Sequence, residues 1–192
     1  MAGFAKALAL RELCAGIVSV RHDVEHSGRL GDANGAGARS LEGVLATFAS
    51  RKGFASRLVD GFVLLTDGMP TPNTGPLARI VPAFDVDSVS AIDVLQKVVI
   101  QLSPELARFG GRVGSVLGAV GAPSPAEEEV YGPLLRMQIA RAPLLDVLVQ
   151  VGRASPGVVW VVSADPASSE AVIICAYTKG GITHTLGQVR PE

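Results

Sequence analysis

The sequence predicts an α+β domain: a mainly antiparallel sheet of about five strands, packed with several helices and preceded by an N-terminal helical arm. Three observations point there. Strand-like runs come in consecutive groups instead of alternating with helices. The last stretch, "GVVWVVSA", "EAVIICAY" and "ITHTLGQV", reads as a three-strand meander turned by "DPASS" and "KGG". The segment 27–39, "SGRLGDANGAGAR", holds four glycines and separates the arm, residues 1–26, from a single body, residues 40–192.

The elements follow in order. Residues 3–26 read as a helix, because Leu8, Leu13, Ile17, Val20 and Val24 fall near helical spacing. Past the linker, Ser40 can cap a helix whose apolar face is Leu41, Val44, Leu45 and Phe48. "GFVLLT" and "LARIVPAF" read as two strands of a long-looped hairpin, since the prolines of "DGMPTPNTGP" suit a loop. "DVDSVSAIDVLQKVVIQL" reads as a helix, with Ser90 and Asp93 at capping-box spacing. "SPEL" and "SPAE" each start a further helix, with proline in the first turn, and the second runs to about Arg141. "PLLDVLVQVG" fits either a helix or a strand.

Composition narrows the function classes. Basic and acidic residues number 17 and 18 and lie evenly along the chain, which gives no electrostatic case for nucleic acid. No run reaches the ~18–20 apolar residues of a membrane-spanning helix. Charged residues are 18% of the chain and the mean hydropathy is +0.37. So little ionic surface predicts apolar surface buried against a protein partner or a second copy. Cys14 and Cys175 stand far apart without C-x-x-C spacing, as buried free thiols of a cytoplasmic or other reducing compartment do. No cofactor is implied.

The leading expectation is a non-enzymatic interaction or assembly subunit. Leu8, Leu13, Ile17 and Val20 would be the docking face of the arm. Gly110, Gly114 and Gly118, spaced four apart, would form a smooth ridge for close helix contact. A small-ligand binding domain is a further class, because a sheet under helices can form a pocket.

Two short motifs suggest metals. His22-x-x-Glu25-His26 resembles the zinc motif of the inverzincin peptidases. The resemblance covers five residues and implies a small metal-dependent hydrolase. His22 and His26 would then be ligands one helical turn apart and Glu25 the general base. The plainer reading of the same residues is a solvated helix end, where histidines meet the negative end of the dipole. "VLLTDGMP", residues 63–70, resembles the metal-binding strand and loop of von Willebrand factor A domains. That fold also needs an earlier D-x-S-x-S loop. The nearest string, "DVDSVS" at 85–90, comes later in the chain, so Asp67-Gly68 reads as a turn closing a strand.

Overall fold

The computed structural model describes residues 2–19, 54–67, 75–104, 133–165, 168–180 and 183–190. It corrects the expected fold class. The described residues form three helices and ten strands. Six of those strands make one mixed sheet, where a mainly antiparallel sheet of about five was expected.

The N-terminal arm is the first correction. A helix, α1 (Ala2–Leu10), ends early, and the chain turns into a strand, β1 (Ala15–Ser19). All five residues of β1 are buried. "AGIVS" is a run buried on both faces, as in a parallel strand, so it lacks the alternation that marks a half-exposed one. Over so few residues such a run also satisfies helical spacing. The strand is central to the sheet, so the segment is part of the body. The linker at 27–39, the helix expected from Ser40 and the boundary between them lie outside the described residues.

The hairpin is the second correction. The strand "FVLLT" is β3 (Phe62–Thr66), but its partner precedes it as β2 (Ala55–Val59). The turn is Asp60-Gly61, with φ of 46° and 82°. Two positive φ values are what a two-residue type I′ hairpin requires, and Asp-Gly supplies them.

After a 3-10 turn (Gly75–Ala78) come the short strand β4 (Ile80–Val81) and β5 (Phe84–Val89). The expected helix therefore begins later, as α2 (Ala91–Leu102). The Ser90 hydroxyl accepts from the Asp93 backbone N–H at 3.2 Å and donates to its carboxylate at 2.7 Å. Ser103 ends α2: its N–H donates to Val99 O and its hydroxyl to Gln188 O, both at 2.8 Å. Pro104, the next residue, is helical, and the rest of the helix expected from "SPEL" lies outside the described residues.

The helix expected to run to Arg141 is also corrected. Residues Leu135–Ile139 form β6, antiparallel to β5, and Ala142–Pro143 form β7, which pairs with β4. The ambiguous run becomes α3 (Leu144–Ala154). The tail forms β8 (Val158–Asp165), β9 (Ser168–Thr178) and β10 (Thr183–Val189), an antiparallel meander in the predicted places.

In the large sheet the order is β10-β9-β8-β1-β3-β2. The centre is parallel: β1 runs alongside both β3 and β8. Period-2 alternation sends neighbouring residues to opposite faces. On one face Val18, Leu64, Trp160, Val162 and Ile174 meet α2 and α3. On the other, Ile17, Leu65, Val159, Val161 and Tyr177 meet Phe4, Ala5, Leu8 and Ala9 of α1.

Trp160 fixes the centre of the first face. It is fully buried and stacks on Phe62 with ring centroids 5.7 Å apart. Its ring lies over Gly16, its register partner in β1, where any Cβ would overlap the indole. A methyl group at Gly152 of α3 would come 2.5 Å from Phe62 and 2.8 Å from Trp160 Nε1. Both glycines are therefore there for close approach.

Candidate functional site at the strand carboxyl ends

In open sheets with parallel strands, ligands sit outside the carboxyl ends, at the strand where the order reverses. Here that strand is β1, with β3 and β2 to one side and β8, β9 and β10 to the other. The side chains at those ends are polar. Ser19 closes β1 and lies opposite Ser163 of β8 in register. Asp67 follows β3, and its N–H donates to Val18 O at 3.1 Å, so it extends the ladder beside Ser19.

By alternation Ser19 and Ser163 continue the rows of Ile17 and Val161, on the face that α1 covers. The apolar layer under α1 thus gives way at one end to two hydroxyls and a carboxylate. Ser19 is 0% exposed and Asp67 1%, while Ser163 is half-buried. The Ser19 hydroxyl has no hydrogen-bond partner among the described residues. The same holds for the hydroxyls of Ser155 and Thr178. Those two stand near the start of β8, at the opposite end of that strand from Ser163, since Val158 N–H donates to Ser155 O and Val158 is the register partner of Thr178. What singles out Ser19 is its company. Ser19, Asp67 and Ser163 bring hydroxyl and carboxylate oxygens to this end, a set suited to hydrogen-bonding a polar ligand.

His184 sits elsewhere, on β10 opposite Ala176. Burial pushes its pKa below the ordinary value, and the Asp93 carboxylate partly offsets this. Cys14 and Cys175 are free and half-buried, and burial pushes both thiols up. Protonated thiols are poor nucleophiles.

The expected docking residues are scattered by the fold. Leu8 is 2% exposed in α1 and Ile17 is 0% exposed in β1, both inside the second core cluster. Leu13 is half-buried against the same cluster. The apolar surface of Leu8 and Ile17 is covered by the chain itself. Val20, the ridge of Gly110, Gly114 and Gly118, and the motif His22, Glu25 and His26 lie outside the described residues. Among the described residues, no cluster of three or more His, Cys, Asp or Glu side chains could hold a metal, and no helix is long and apolar enough to cross a membrane.

Sequence reading missed Ser19 and Ser163 because nothing in "IVSV" or "WVVSAD" marks a site until the strands are set side by side. Asp67 was visible as the end of a strand, but its neighbours were not. The chain matches no family model, no curated protein and no solved structure.

Proposed function

We propose that this chain is a small-ligand binding domain, with a polar ligand seated at the carboxyl ends of β1, β3 and β8. The observation that carries the reading is the row of Ser19, Asp67 and Ser163 on adjoining ends of parallel strands. A buried hydroxyl without a partner costs about 1–3 kcal/mol, and alanine would avoid that cost. A ligand that hydrogen-bonds Ser19 turns the cost into recognition. The docking role anticipated for the arm draws no support from Leu8 and Ile17, which are spent on the core.

The test is amide chemical-shift mapping against nucleotides, monosaccharides and amino acids. The reading expects saturable shifts centred on residues 17–19, 65–67 and 161–163. Ser19→Ala and Asp67→Asn should each weaken them by about tenfold while the rest of the spectrum is retained. Saturable shifts mapping only elsewhere, or none from any compound, would overturn it.

A further inference from the structure

The opposite, amino-terminal end of the same strands holds a cleft of about 450 Å³. Its walls come from three elements that the fold brings together: the β2–β3 turn, β6 and the last turns of α3. Asp60 and Arg153 face each other there as an ion pair, with Arg153 Nη1 3.2 Å from Asp60 Oδ2. Met137 and Ala154 supply apolar wall, and Gln150 and Cys14 complete the lining used below. The Gln150 amide nitrogen donates to Gln138 O at 3.2 Å, which leaves its amide oxygen as an acceptor.

We infer that this cleft binds a small zwitterion, an α-amino acid with an apolar side chain, its carboxylate on Arg153 and its ammonium group on Asp60. This is a second site, distinct from the one at the carboxyl ends. Three features carry it. The Asp60–Arg153 pair is open to water, with side chains 72% and 45% exposed. Exposed pairs add little to stability, so a ligand that inserts between the two groups gives up little. A zwitterion leaves both charges matched, whereas a singly charged ligand strands one of them.

Position comes next. Asp60 is held in a two-residue turn rather than on a long loop, and Arg153 projects from a helix, so both charges are presented by ordered backbone. Last, the lining joins charged groups to a thioether, and methionine adapts to side chains of different shape. The volume falls within the ~300–1,000 Å³ of small-molecule sites.

The test uses four probes on the full chain: L-leucine, glycine, 4-methylpentanoate without the amine, and 3-methylbutylamine without the carboxylate. Two readouts are followed, amide shifts at residues 60–61, 137 and 150–154, and the rate of Cys14 alkylation by iodoacetamide with Cys175 as internal reference. Leucine should give saturable shifts and slow Cys14 alone, and each of the other probes should bind about tenfold more weakly. Asp60→Asn keeps a residue that tolerates the turn, and Arg153→Gln keeps length and polarity; each should weaken leucine by about tenfold. Absence of saturable leucine shifts, equal binding of the singly charged analogues, or unchanged affinity in both variants would overturn the inference. Loss of leucine binding with the carboxyl-end shifts intact would leave the first site standing, so the two proposals fail separately.

Discussion

The two faces of the central sheet are filled in different ways. Against α2 and α3 the layer is deep and made of large side chains, with Trp160 and Phe62 stacked at its centre and two glycines hollowed to receive them. Against α1 the layer is thinner, made of Phe4, Ala5, Leu8, Ala9 and their strand partners, and it ends in Ser19 and Asp67. The first face is apolar and closely packed. The second grades from core to polar row within two residues of β1, from Ile17 to Ser19. Adjacency of that kind holds a polar site rigid, because its supports are packed residues rather than loops.

The contrast can be broken most forcefully at Gly16. Gly16→Ala should drive the indole of Trp160 from its place and cost roughly 3 kcal/mol or more, read as a drop in the urea midpoint. Leu8→Ala attacks the thinner face and should cost about 2–4 kcal/mol in the same measurement, with Trp160 packing retained. A Leu8→Ala cost equal to or above that of Gly16→Ala would show that the two faces are equally demanding.

Ser19→Ala should go the other way. Removing a buried hydroxyl without a described partner is expected to stabilise the fold by about 1 kcal/mol, seen as a raised melting temperature, while ligand binding falls. A destabilised Ser19→Ala would mean that the hydroxyl serves the fold.

The smallest expected effect lies at the rim of the deeper face. Burial depresses the pKa of His184, so the folded chain resists a proton that the unfolded chain accepts. Stability should therefore fall as the pH drops below the ordinary histidine value of about 6.5 and level off below the folded one. Urea midpoints at about pH 7.5 and about pH 5.5 should differ less in His184→Gln than in the parent chain. An unchanged difference would place the pH dependence in other groups.

Much of the fold could be read from residue pattern where one physical signal was strong. The tail meander announced itself through β-branched runs and short polar turns, and Ser90 with Asp93 carried the capping spacing of α2, although the helix was read from Asp85, inside the strand just before it. The misreadings share a cause. "AGIVS" and "LRMQI" are five-residue strands, too short for periodicity to separate them from helix. The β2–β3 hairpin was legible in Asp60-Gly61, a turn signal between apolar runs, but the later, proline-rich loop drew the pairing away. The candidate site was not legible at all. Ser19, Asp67 and Ser163 are far apart in the chain and meet only because β1 lies between β3 and β8.

Trp160 is the chain's one tryptophan, and it is sealed between β1, α3 and Phe62. Its emission should be that of an indole in a dry environment, blue of the solvated fluorophore. It reports the layer beneath α2 and α3 and sits on the far side of the sheet from Ser19. Fluorescence will therefore follow global unfolding faithfully and stay dark to occupancy at the strand ends, so titrations there call for a probe placed on the other side.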